Sequence, residues 1–277
     1  MTSENIVAVE SDANPRFKRW KRLALEPRAV KRERATLLEG LHLLGVVHDD
    51  PEAKVETLMI SEAANAEARA LAEALAQKRG LRLYRLAKRL YDQISPVENG
   101  VGCMCELAIP EAPEAAQWAE DDVLYLDGVQ DAGNVGTLIR TAAAAGFPTI
   151  VCNIGTASVW SPKVMRAGMG AHFSVRIVEN FPPEKLRQSY RGRIFAADAR
   201  GGRDLFASPD YADGPCCWVM GAEGPGVSAA ALAVTDARFY IPIEPGVESL
   251  NVGAAAAVCL FDARRRRLQK TRHVFDQ

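Results

Sequence analysis

The sequence predicts an α/β protein of two parts, and three observations carry that reading. Short apolar runs alternate with amphipathic stretches along most of the chain, the pattern of strands joined through helices. Residues 110–116, PEAPEAA, hold two prolines and no apolar period, which is linker composition. Beyond that linker, three polar loops each follow a strand-like run, VLYL, CCWVM and RFYIPI. Three such loops would gather at the carboxyl edge of one sheet, where open α/β sheets hold ligands.

The first part, 1–112, reads in order as follows. Residues 1–13 have little apolar periodicity and are expected to fray. Asn14-Pro15 opens a helix with an N-cap followed by Pro in the first turn; Phe17, Trp20 and Leu23 form its apolar stripe. A second short helix follows Glu26-Pro27. Then come a strand over 35–38, a helix to Val47, and a strand over 55–60. An amphipathic helix covers 65–79, with Leu71 and Leu75 inside and Gly80 as its stop. A strand over 81–86, a short helix to Ile94 and a strand over 101–109 complete a small α/β domain.

The second part, 113–277, begins with a strand over 123–126, a polar loop and a helix over 135–145 stopped by Gly146. Strands are expected over 149–152, 173–178 and 193–197, with a helix over 183–191 between the last two. Ile241 to Ile243 reads as the end of a buried strand, and Pro245-Gly246 as a turn. An alanine-rich helix then runs to about Phe261, with Ser249 and Asn251 placed to cap its first turn.

Composition sets outer bounds. The chain has 277 residues, 48% apolar and 25% charged, ordinary for a globular protein. No apolar run approaches the ~18–20 residues that a membrane helix needs, and the polar N-terminus is no secretory signal, so a cytoplasmic protein without membrane partners is expected. The six cysteines form no C-x-x-C and the four histidines no H-x-x-x-H. Buried free thiols are expected and no metal. The net charge is −1, yet basic residues cluster at Arg16, Lys18, Arg19, Lys21, Arg22, Arg28, Lys31, Arg32 and Arg34. They cluster again at Arg264 to Arg267, Lys270 and Arg272. Such asymmetry fits a polyanion held on particular faces; the bland alternative is a solvated charged surface.

The three loops are specific together where each alone is weak. The first contains Asn134, Gly136 and Arg140 in N-x-G-x-x-x-R; the second contains Gly221, Glu223, Gly224 and Gly226 in G-x-E-G-x-G. The third is I-P-I at 241–243 followed by S-L-N-V at 249–252. In this order and spacing the trio resembles the three motifs of the SpoU (TrmH-like) branch of the SPOUT methyltransferases. Residues 161–171 also resemble that family's K-x-x-R-A-S-x-G helix, with Gly168 where serine is frequent. The element order of the first part resembles the L30e-like substrate-binding domain often found ahead of such catalytic domains.

The resemblance implies S-adenosyl-L-methionine as cofactor and methylation of a ribose 2′-hydroxyl in structured RNA, with 23S rRNA favoured over tRNA. It implies a trefoil knot in the second domain and a homodimer through it, which the small residues Gly253 to Ala257 would serve by close helix packing. It names Gly221, Gly226, Ile241, Ile243 and Leu250 as cofactor contacts, and Asn134, Arg140, Glu223, Ser249 and Asn251 as the catalytic set. Family mechanisms place Arg140 at the 2′-hydroxyl, sometimes as a base. A guanidinium stays protonated, so a clamp that stabilises the developing alkoxide is the better role. The i, i+6 spacing of Asn134 and Arg140 is expected to aim both at one pocket. Glu223 either orients Arg140 or fixes its loop through backbone N–H groups.

Rival classes fit less well. Neither GVQDAGNVG nor GAEGPGVS has the G-x-G-x-x-G spacing of a dinucleotide fold. An RNA-binding protein without turnover, a tRNA enzyme and a base methyltransferase of the same superfamily remain as alternatives.

Overall fold

The computed structural model describes residues 6–208, 211 and 213–275, with side chains as far as Gln269. Lys270 and Arg272 therefore lie outside the described side chains. In chain order the first elements are β1 (Ile6–Val9), α1 (Pro15–Leu25), α2 (Pro27–Glu33), β2 (Ala35–Glu39), α3 (Leu41–Asp49), β3 (Val55–Ser61), α4 (Ala66–Arg79), β4 (Leu83–Leu86), α5 (Lys88–Ile94) and β5 (Cys103–Ala108). After the linker come β6 (Val123–Asp127), α6 (Ala132–Ala145), β7 (Thr149–Cys152), α7 (Pro162–Gly168), β8 (Arg176–Val178) and α8 (Pro183–Ser189). The chain closes with β9 (Arg193–Ala197), β10 (Arg203–Asp204), β11 (Cys216–Gly221), α9 (Ala229–Ala233), β12 (Ala237–Tyr240) and α10 (Val252–Phe275).

Two compact units result. One takes the chain as far as Glu111 together with Trp160–Phe173; the other takes Ala112–Val159 and the chain from Ser174 onward. The returning segment that carries α7 thus lies inside the stretch expected to form the catalytic domain.

The first unit is a five-stranded sheet in the order β1-β4-β3-β5-β2, with β5 antiparallel to both neighbours. Local grammar explains its helices. The Asn14 side chain accepts from the N–H groups of Arg16 and Phe17, and Asn65 accepts from Ala68 at 2.7 Å. Phe17, Trp20 and Leu23 are buried as their spacing requires. Residues 6–9 do not fray; they form the edge strand β1, paired in parallel with β4. Four residues pairing with a partner so distant in sequence leave too little periodicity to read.

The basic face of α1 is only partly a free surface. Glu106, 1% exposed, accepts from Trp20 Nε1 at 3.0 Å and pairs with Arg19. Arg19 also meets Glu33 at 2.8 Å, and Arg22 reaches the same carboxylate at 3.5 Å. Arg19 is therefore the countercharge of a buried acid, a role that its place in a basic run does not reveal.

The second unit is a seven-stranded, wholly parallel sheet in the order β10-β12-β9-β11-β6-β7-β8. Its core packs Trp118, Tyr125, Val151, Tyr190 and Val219 from several strands and the linker end. The chain moves from β6 to β8 in one direction, then returns to the other side of β6 for β9 and β11. The carboxyl ends of β6, β11, β9 and β12 therefore stand side by side at the reversal, the usual ligand position in such sheets.

Several boundaries after the linker differ from expectation. β12 stops at Tyr240, so Ile241 to Ile243 are loop; Pro242 has no N–H for a ladder. Residues 171–174 form a 3-10 turn, and β8 starts only at Arg176. α10 continues to Phe275, well past Phe261. Its apolar period fades there, but no Gly or Pro intervenes, and Asp262 pairs with Arg265 and Arg266 one turn on.

All six cysteines are buried free thiols. Burial, and then the nearby Glu39 carboxylate, pushes the Cys103 thiol up to about 12. No helix among the described residues is long and apolar enough to cross a membrane.

Candidate active site

The first loop enters α6 earlier than its sequence suggests. Asp131 caps the helix by accepting from the Asn134 N–H at 2.7 Å, so Asn134 sits in the first helical turn. The second loop is a tight turn in which Ala222 and Gly226 exchange backbone hydrogen bonds at 3.1 and 2.9 Å. Gly221 is required there: a Cβ would collide with the backbone of Gly226 and Val227. Gly226 has φ +77, which glycine adopts without strain. In the third loop Asn251 caps α10, its Oδ1 accepting from Gly253 N–H at 2.8 Å. Ser249 makes no capping bond among the described residues.

These loops are tied by side chains. Asn134 Nδ2 donates to Glu223 Oε1 at 2.8 Å, and Asn251 Nδ2 donates to Asn134 Oδ1 at 3.0 Å. Glu223 Oε2 also accepts from the Gln130 N–H at 3.4 Å. One asparagine thus links the acid of the second loop to the cap of α10. Of the two roles open to Glu223, this is loop fixation; it has no bond to Arg140.

Asp127, at the end of β6, adds a second brace. It is 4% exposed and accepts from Asn153 Nδ2 and from the Ser228 N–H, both at 2.7 Å. It thereby holds the end of the second loop to the end of β7. Its capacity to do so was not marked in the sequence, because both partners come from other strands.

A cavity of about 550 Å³ opens at this sheet edge. The proposed cofactor contacts Gly221, Gly226, Ile241, Ile243 and Leu250 all line it. Glu223, Ser249 and Asn251 line it as well, whereas Asn134 and Arg140 do not. The expectation that Asn134 and Arg140 share one aim fails on helix geometry. Six residues at 3.6 per turn place them about 120° apart around the axis. Arg140 is exposed on α6 and has no hydrogen-bond or ion-pair partner among the described residues. Sequence reasoning also missed Ala197 to Arg200, the loop after β9, which lines the cavity beside the second loop. Only the strand order places β9 between β11 and β12.

Two of the small residues of α10 face inward. Gly253 and Ala256 are buried, and a Cβ on Gly253 would come within 3.0 Å of Thr137 Cγ2 on α6. The close approach expected for an interface between copies is thus used within one chain.

A parallel sheet with Gly-rich loops around an apolar and acidic cavity defines a ligand-binding α/β protein. Residues 122–261 match the SpoU rRNA Methylase family, and the chain belongs to it. It is 30% identical over 263 residues to the 23S rRNA (guanosine(2553)-2′-O)-methyltransferase RlmP of Bacillus subtilis, covering 92% of this chain and 98% of that one. It is 31% identical over 209 residues to the 23S rRNA (adenosine(1067)-2′-O)-methyltransferase of Streptomyces laurentii, covering 72% and 75%. The AdoMet-bound rRNA methyltransferase from Sinorhizobium meliloti superposes with a TM-score of 0.81 at 25% identity, over 94% of this chain and 98% of that one.

Proposed function

We propose that the protein transfers a methyl group from S-adenosylmethionine to a ribose 2′-hydroxyl of 23S rRNA. The observation that carries this is the convergence of the second and third loops on one cavity, with the first loop tied to both through Asn134. The lining fits the cofactor's two chemistries: Ile241, Ile243 and Leu250 suit an adenine, and carboxylates suit a sulfonium and an ammonium. S-adenosylmethionine supplies an electrophilic methyl when bound. Backbone at Gly221 and Gly226 and the three apolar side chains hold it. The Glu223–Asn134–Asn251 bridge keeps the loops from spreading, which conserves alignment between methyl and acceptor. Arg140, without a partner among the described residues, binds the RNA backbone through its guanidinium and stabilises charge that develops on the 2′-oxygen. Ser249 stands free at the lining to hydrogen-bond cofactor or ribose.

The same reading includes a cytoplasmic homodimer with a trefoil knot in the second unit. Exposed Phe261 and Leu268, seven residues apart on α10, and exposed Ala254, seven residues before Phe261, form an outward stripe suited to a second copy. Sedimentation showing a concentration-independent monomer would remove the dimer. The first unit serves as the RNA reader through exposed cations such as Lys18 and Arg28, which have no ion-pair partner among the described residues.

The test is incubation with labelled S-adenosylmethionine and total RNA from a strain lacking the gene. Label in the 23S fraction is expected. Label in tRNA would keep the chemistry and overturn the substrate, while no label in any fraction, with cofactor bound in calorimetry, would return the protein to a binding role.

A further inference from the structure

The cavity carries a charge pattern that the three motifs leave unexplained. Asp198, Glu223 and Glu248 line it, and Arg200 is the one cation among its described lining residues. Arg200 lies in the loop after β9 and is held twice. Its backbone N–H donates to Asp198 Oδ1 at 3.0 Å, and its Nη2 donates to the Gly224 carbonyl at 2.8 Å. Asp198 is in turn committed to Arg238, Nε to Oδ2 at 3.4 Å. No carboxylate among the described residues pairs with the Arg200 guanidinium. Of its five N–H donors one is engaged, and the side chain is exposed at the cavity.

We propose that Arg200 recognises the α-carboxylate of the amino-acid half of S-adenosylmethionine. The inference rests on the methyl-transfer reading above. That cofactor carries two cationic groups and a single anionic one. The three acids complement the cations, and one guanidinium remains for the anion. A guanidinium fork matches a carboxylate in shape and offers parallel N–H donors. The Gly224 carbonyl fixes one part of the fork beforehand, so binding orders little that is still free. The same bond sets Arg200 against the second loop, joining carboxylate recognition to the loop that carries Glu223.

The decisive probe is decarboxylated S-adenosylmethionine, which lacks that carboxylate and keeps both positive charges. Calorimetric titration of each ligand into the wild type, Arg200→Gln and Arg200→Lys separates recognition from support. Wild type should bind the decarboxylated compound about tenfold more weakly. Arg200→Gln should bind the two alike, and Arg200→Lys should regain part of the preference. If Arg200 only braces the loops, Arg200→Gln will weaken both ligands by one factor and keep the preference, which overturns the proposal. Equal binding of the two ligands by wild type overturns it too. If wild type binds neither compound, the methyl-transfer reading itself has failed. A thermal midpoint measured on each variant identifies any loss that comes from unfolding, and Arg200→Lys then carries the comparison.

Discussion

Arg140 on α6 and the run Arg264–Arg267 on α10 occupy two helices that pack on one another, yet they have opposite fates. Arg264 donates to the Ala145 carbonyl at the end of α6 at 3.3 Å. Arg265 and Arg266 each meet Asp262 at 2.7 Å, and Arg266 also lies over the Tyr211 ring. Arg267 pairs with Asp122 and lies over Phe147. All four residues of the most basic stretch are engaged within the fold. Arg140, which composition does not single out, has no partner among the described residues. A count of cations locates charge; only the partners decide which charge is available to a polyanion.

The largest effect expected from this contrast is on turnover. Arg140→Ala should lower the methylation rate by about 10²–10³-fold, the usual cost of removing a preorganised stabilising donor. Cofactor affinity from calorimetry should stay within about twofold, and the thermal midpoint should not move. A variant that loses cofactor binding in proportion would place Arg140 in the cavity after all.

Asp262→Ala should act on stability instead, by about 2–3 kcal/mol, because it removes the carboxylate that accepts from the buried Tyr211 hydroxyl and pairs with Arg265 and Arg266. Burial pushes the Asp262 carboxyl up, but hydrogen bonds from Tyr211, Arg265 and Arg266 outweigh it and hold it below the ordinary 3.8. A depressed folded pKa contributes stability that is present above 3.8 and lost as the pH falls through the folded value. Urea denaturation should therefore show the gap between wild type and variant shrinking as the pH is taken below 3.8. A gap constant with pH would contradict the ion pairing.

Glu223→Ala should raise KM for the cofactor about fivefold with little change in stability, since it frees Asn134 and the Gln130 N–H at an exposed site. An unchanged KM would show that the loops hold together without this bridge.

The smallest effects belong to the first unit, where the same contrast recurs. Lys18→Gln and Arg28→Gln should each weaken RNA binding about twofold to threefold and reduce its salt dependence. Arg19→Gln should instead lower the thermal midpoint, because it uncovers the buried Glu106. RNA affinity that falls equally in all three variants would restore the simple reading of a basic face.

The difference between legible and illegible parts follows from distance in sequence. The cap at Asn14, the stops at Gly80 and Gly146 and the three Gly- and Asn-rich loops are local signals, and each is present in the structure. β1, the loop at Ala197 to Arg200 and the engagement of Arg264 and Arg267 depend on partners far along the chain; Arg267 and Asp122 are 145 positions apart. Asn134 and Arg140 diverge for another reason, because six residues leave them about 120° apart around the helix axis. It is the structure that separates Arg140 from the cavity while leaving Asn134 as the bridge between loops.

Where the methyl group lands tests the account most directly. RNA methylated by the protein with labelled cofactor can be digested in alkali, which cleaves every linkage except one beside a 2′-O-methyl ribose. The account predicts label in a single alkali-resistant dinucleotide from 23S rRNA, absent when Arg140→Ala is used. Label released in an ordinary mononucleotide, with the methyl on a base atom, would contradict it.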